Sequence, residues 1–108
     1  MTKFYDTCAL LEAQDKAFND VFFISDITLR ELEDIKVSSK KDEAVKFKAR
    51  KVTRALQEHE NDYQIICFRT VKSQYDIVDE PSNDEKIVLC AKYVSEYFTD
   101  IDDLIFIT

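Results

Sequence analysis

The sequence predicts an α/β domain with a central, mainly parallel sheet, and three observations carry that prediction. Short continuous apolar runs recur at Val21–Ser25 (VFFIS), Tyr63–Phe68 (YQIICF) and Leu104–Thr108 (LIFIT), as in strands buried on both faces. Between them lie segments whose apolar residues repeat at helical spacing. Strands that alternate with helices in this way build a parallel sheet flanked by helices.

The elements follow in order. Lys3–Asp6 reads as a first strand feeding a helix from about Thr7 to Phe18, with Leu10, Leu11 and Phe18 facing inward. After the Val21–Ser25 strand, Ser25 and Asp26 are good N-cap residues for a helix through Lys36, with Leu29, Leu32 and Ile35 on its apolar side. Val37–Lys40 is a polar break. A long helix from Lys41 to about Glu58 follows, with Val45, Ala49, Val52 and Leu56 spaced four, three and four. Beyond the Tyr63–Phe68 strand, Arg69–Pro81 is expected to be irregular, with a short strand or helical turn around Tyr75–Val78. Ser82-x-x-Glu85 is a capping box opening a helix through about Tyr97, and Leu104–Thr108 is the last strand.

Composition narrows the chemistry. The chain of 108 residues is expected to form one domain, and its apolar share of 45% suffices for a buried core. No apolar run reaches the roughly 18–20 residues a membrane span requires. Asp6, Glu12, Asp15 and Lys16 interrupt any secretory signal, so a cytoplasmic location without membrane attachment is expected. There is no glycine, which rules out Walker and G-x-G-x-x-G phosphate loops. Cys8, Cys67 and Cys90 form no C-x-x-C pair and are expected as small apolar residues on buried faces. His59, between Glu58 and Glu60, reads as a solvated helix-end residue.

Ligands of open α/β sheets sit beyond the carboxyl ends of the strands. Asp6 ends the first strand, Glu31 lies early in the helix after the second, and Asp84 lies in the first turn of the helix capped by Ser82. All three can face one sheet edge. Carboxylates gathered there need a cation, and hard oxygen donors suit Mg2+ or Mn2+. Asp6 and Asp84 equally suit helix N-termini as stabilising charges, and Glu31 an exposed helical position.

Three stretches resemble one family in its own order. Lys3-Phe4-Tyr5-Asp6-Thr7-Cys8-Ala9-Leu10-Leu11 is similar to the opening strand-turn-helix of PIN domains, in which an Asp ends the strand and a small hydroxyl residue, here Thr7, follows. Ser25-Asp26-Ile27-Thr28-Leu29-Arg30-Glu31-Leu32 resembles their second motif, and Asn83-Asp84-Glu85-Lys86-Ile87-Val88-Leu89-Cys90-Ala91 their third. The resemblance spans Lys3 to Thr108 and is closest to bacterial and phage PIN domains, including those preceding PhoH-like ATPase modules. It implies a three-layer α/β/α fold and a Mg2+- or Mn2+-dependent ribonuclease with Asp6, Glu31 and Asp84 as catalytic and metal-binding acids. It also implies a toxin–antitoxin or processing role, with an antitoxin, an ATPase module or a second copy as partner. PIN domains carry a further Asp after the last core strand and its Ser or Thr. Here that strand ends at Thr108, a candidate substrate contact with Thr7, so the expectation is of a truncated chain or of a protein lacking this acid. Asp100, Asp102 and Asp103 precede the strand, at its wrong end.

Charge is unevenly placed along a chain of net −7. Lys36 to Arg54 holds eight bases and two acids, net +6, leaving seven bases and twenty acids elsewhere, net −13. On the long helix, Val45, Ala49, Val52 and Leu56 occupy an arc of roughly 60°. Lys46, Lys48, Arg50, Lys51 and Arg54, with Phe47 among them, occupy the opposite side. Acids are scarce within the helix, so this face is expected to stay positive and to contact the RNA backbone through Lys46, Arg50, Lys51 and Arg54. Two other readings stand beside the ribonuclease: a PIN-like module that binds RNA or protein without cutting, and a receiver-type signalling domain. The last wants paired acids near the first strand, where Asp6 stands alone.

Overall fold

The computed structural model describes residues 2–98 and 103–108. Four parallel strands, β1 (Thr2–Tyr5), β2 (Phe22–Ser25), β3 (Tyr63–Ile66) and β4 (Leu104–Ile107), form a sheet in the order β3-β2-β1-β4. Register runs Lys3 opposite Phe22 and Ile105, and Phe4 opposite Phe23 and Phe106. The chain steps outward from β1 to β3, then returns past both strands to place β4 on the other side of β1. The order therefore reverses beside β1, which is where open α/β sheets take their ligands.

Alternation along the strands divides the core in two. Tyr5, Phe22 and Ile24 face the layer made by α1 (Thr7–Ala13) and α3 (Glu43–Glu58), whose Leu10, Leu11, Ala49, Val52 and Leu56 are buried against them. Phe4 and Phe23 face α4 (Phe68–Gln74) and α5 (Asn83–Tyr97), with Val71, Ile87, Cys90 and Val94. The amphipathic helix α2 (Asp26–Val37) closes one end and serves both halves, through Leu32 on one side and Ile27 on the other. This is the expected three-layer α/β/α arrangement. Asp100 and Asp102 lie outside the described residues.

Several elements depart from the sequence expectations for identifiable reasons. The first helix stops at Ala13, and a 3₁₀ segment covers Gln14–Asn19. Gln14 turns the chain with φ 49° and ψ −125°, where its N–H bonds the Leu10 carbonyl. In a chain without glycine, that left-handed turn falls on a residue with a β-carbon. Val21 stays outside β2 and is exposed. The long helix begins at Glu43 because Asp42 caps it, accepting from the Val45 N–H at 2.9 Å.

The run Tyr63–Phe68 is strand only to Ile66. Cys67 becomes the N-cap of α4, and the Phe68 N–H donates to Asp26 Oδ1 at 3.0 Å. Helix thus replaces much of the segment expected to be irregular, and the expected element at Tyr75–Val78 is absent: Tyr75 ends α4 and Asp76 has φ 55°. Cys90 is buried as expected, 3.5 Å from the Ser25 hydroxyl, and burial pushes its thiol up to about 11. Cys8 and Cys67 are exposed instead, because each sits where a strand gives way to a helix rather than on an inward face. His59 ends α3, close to Asp62 and against the Phe18 ring.

Gln14 holds a backbone conformation natural to glycine, at a penalty of about 1–2 kcal/mol for a residue with a β-carbon. Gln14→Gly should therefore raise stability by about 1 kcal/mol in urea unfolding, less the greater freedom glycine gives the unfolded chain.

Candidate active-site cleft

Each sequence-selected acid is positioned by the start of a helix. Asp6 follows β1 as the N-cap of α1, and its Oδ1 accepts from the Ala9 N–H at 2.8 Å. Its own N–H bonds the Ile107 carbonyl at 3.0 Å, fastening the turn to β4. One carboxylate oxygen is thus engaged by the backbone, and Oδ2 is left for other work.

Glu31 lies on the second turn of α2. The helix is set by Ser25, whose hydroxyl accepts from the Ile27 N–H at 3.1 Å. The side chain of Glu31 is held by Thr7: the Thr7 Oγ1 stands 2.5 Å from Glu31 Oε1 and 3.1 Å from the hydroxyl of the fully buried Thr28. A carboxylate only accepts and a hydroxyl has one proton, so Thr7 gives its proton to Glu31 and meets Thr28 as an acceptor. The small hydroxyl after Asp6 therefore links α1 to α2 at the sheet edge.

Asp84 sits in the exposed first turn of α5. Ser82 and Glu85 form the expected reciprocal cap, at 3.2 and 3.1 Å. The backbone and hydroxyl of Ser82 hold the Glu85 carboxyl below its ordinary range. Glu80 anchors the preceding loop through Lys86 at 2.6 Å and Lys72 at 3.7 Å, which depress its carboxyl in turn. Lys86 also lies over the Phe68 ring at 5.5 Å. These contacts fix the direction from which Asp84 enters.

The three acids line one cleft of about 510 Å³, together with Thr7, Cys8, Asp34, Asn83 and two lysines, Lys41 and Lys48. They share it without closing on a point: among the described residues, no three Asp, Glu, His or Cys side chains stand close enough to hold a metal ion. Asp34, Lys41, Lys48 and Asn83 were not singled out for the cleft by sequence. Asp34 could have been found as the residue one turn beyond Glu31 on the same helix face, and Asn83 as the neighbour of Asp84. Lys41, just ahead of α3, and Lys48, within it, reach the cleft through the way α3 packs, so only the tertiary fold assigns them.

Thr108 does not enter this cleft. It lines an adjoining cavity of about 440 Å³ with Lys3, Tyr5 and Ile107; Cys8 and Glu12 form the shared wall. Arg50, Lys51 and Arg54 surround Phe47 on the outer side of α3, while Lys46 lies beside Glu43 at 3.5 Å. The expectation of an unpaired positive face is corrected by the fold. Lys48 donates to Glu12 at 3.4 Å and Lys51 pairs with Asp15 at 3.6 Å, both acids supplied by the α1 region rather than by α3.

A family model described as "PIN domain" matches residues 4–108. The chain belongs to the PIN domain family. No curated protein matches it. Among solved structures, this PIN domain is similar to a chain in the crystal structure of VapBC2 from Rickettsia felis bound to a DNA fragment from their promoter. That similarity is 19% identity over 100% of both chains, with a TM-score of 0.47. In this PIN domain no helix of the described residues is long and apolar enough to cross a membrane.

Two outcomes follow from the caps. Asp6→Ala should lose about 1 kcal/mol of stability in urea unfolding, whereas Asp6→Asn, which still caps α1, should stay within about 0.5 kcal/mol of wild type. Because the folded-state pKa of Glu85 is lowered, its contribution is present above the ordinary value of 4.5 and lost as pH falls through the depressed one. Glu85→Ala should accordingly lower the neutral plateau while leaving stability at the acid end nearly unchanged, which flattens the acid limb of the stability–pH curve below about pH 4.5.

Proposed function

We propose that this PIN domain is a divalent-metal-dependent endoribonuclease, with Mg2+ or Mn2+ taken in the cleft by Asp6, Glu31 and Asp84. The observation that carries this reading is that acids from three separate stretches of the chain line one cavity beside the strand-order reversal. The donors fit such an ion in kind. They are carboxylate oxygens on a roomy wall, which suits hard cations that keep several waters.

A bound ion would supply activated water and charge stabilisation on a phosphodiester. The remaining work falls to the chain. Thr7 orients Glu31 by its hydrogen bond and thereby acts as a positioning residue. Asp6 is held through Oδ1 by the α1 backbone, a cap that leaves Oδ2 unengaged. Lys41 and Lys48 on the wall attract substrate phosphates into an otherwise acidic cleft, and the outer cations of α3, with Thr108 beyond the shared wall, extend contact along the RNA. An antitoxin-type partner belongs to the same proposal and is supported by family membership alone.

A second reading is supported by the spacing of the acids: a PIN domain that binds RNA or protein without holding metal. Calorimetric Mn2+ titration alongside RNA cleavage separates the two. Wild type should bind Mn2+ and cut RNA; Asp6→Asn, Glu31→Gln and Asp84→Asn should each slow cutting by about 100-fold, the order associated with losing one preorganised electrostatic contact. Thr7→Val should weaken Mn2+ binding by about 10-fold or more. If wild type gives no binding heat at millimolar Mn2+, the nuclease reading fails and the binding module stands.

A further inference from the structure

We propose that the outer face of α3 carries a base-stacking subsite for single-stranded RNA, with the Phe47 ring taking one nucleobase and Arg50, Lys51 and Arg54 holding flanking phosphates. This inference rests on the ribonuclease reading and assigns it a second contact zone outside the cleft.

Phe47 is a large apolar ring left 60% exposed on a helix whose opposite side supplies the core. It is not scattered surface. A recess of about 240 Å³ is formed, among the described residues, by Phe47, Arg50, Lys51 and Arg54 alone. At 100° per residue the four fall within an arc of about 100°, with Arg54 and Lys51 on either side of the ring. A flat π surface bordered by three cations suits a nucleotide: the ring offers stacking to any base, and the guanidinium and ammonium groups meet the backbone.

Position selects RNA over an acidic protein segment. Lys48 lies about 60° around the same helix from Lys51, one turn back, and lines the cleft with Val45. The cations therefore lead from the recess to the wall that holds Asp6, Glu31 and Asp84. An acidic peptide would satisfy the charges but would gain little from a bare planar ring. The ion pairs already present are no obstacle. Arg50 meets Glu43 only at 3.9 Å and Lys51 meets Asp15 at 3.6 Å, with both carboxylates well exposed, and such pairs exchange readily for phosphate.

The test is fluorescence anisotropy of a labelled eight-nucleotide oligoadenosine RNA, with EDTA present so that no cutting intervenes. Phe47→Leu keeps an apolar side chain and removes the planar ring; circular dichroism checks that the fold persists at this exposed position. It should bind the RNA about 10-fold more weakly, and Phe47→Tyr should restore binding to within about twofold. An abasic oligomer of equal charge should bind wild type and Phe47→Leu alike. Arg54→Gln should flatten the log–log salt dependence by about 0.7. The inference is overturned if wild type does not bind oligoadenosine, if Phe47→Leu binds it as wild type does, or if polyglutamate binds with the same dependence on Phe47, which would make this a protein-docking face. Mn2+-dependent cutting by wild type, together with unchanged binding by Phe47→Leu, would remove the subsite and leave the nuclease reading intact. Absence of both metal binding and cutting would remove the nuclease reading itself.

Discussion

The hydrogen bond from Thr7 to Glu31 is the contact on which the arrangement at the sheet edge depends. Two helices leave paired strands there, and the ladder brings their starts side by side without joining their side chains. A single hydroxyl makes that join, donating to the Glu31 carboxylate while accepting from the buried Thr28 hydroxyl. Because Asp6 immediately precedes Thr7, the same contact fixes the first acid relative to the second. The order of strands matters for the third. The crossing from β3 to β4 carries α5 over the opposite face, so its N-terminus brings Asp84 to the cleft from the far side of the sheet.

The cleft thus combines elements with different stabilising forces. Its apolar lining comes from Leu11, Ile35, Val45 and Ile87, of which Leu11 and Ile87 belong to the buried core. Two of its acids, Asp6 and Asp84, sit at helix starts, where backbone N–H groups and the helix dipole favour negative charge. Lys41, just ahead of α3, and Lys48, within it, temper the repulsion among the carboxylates. Structural and chemical demands coincide at Asp6, which caps α1 and presents an oxygen to the cleft, so deleting the side chain mixes two effects that the amide variant separates.

Much of this was legible in the sequence, and the exceptions have physical causes. A parallel strand buried on both faces produces an unbroken apolar run, so β2 is legible within a residue of its ends; β4 carries the same run although it is an edge strand, only half-buried. At Tyr63–Phe68 the same signal misled, because the apolar run continues into a helix that uses Phe68 and Val71 for the core and the turn between is a single residue, Cys67. The break at Gln14 was hidden because the residue that ordinarily marks such a turn is missing from the whole chain. The acids were visible because each lies at a strand end or helix start. The partners of Lys48 and Lys51 were not, since Glu12 and Asp15 reach them only through the packing of the α1 region on α3.

Those partners give the helix a property that its charge count does not express. Glu12 and Asp15 stand against Lys48 and Lys51 much as phosphates would, at separations of 3.4 and 3.6 Å. Exposed pairs of this kind are worth about 0–1 kcal/mol each and weaken as salt rises. The charge that α3 presents is therefore set partly by a neighbouring element, and any shift of the α1 region against α3 would change it without altering a residue of the helix.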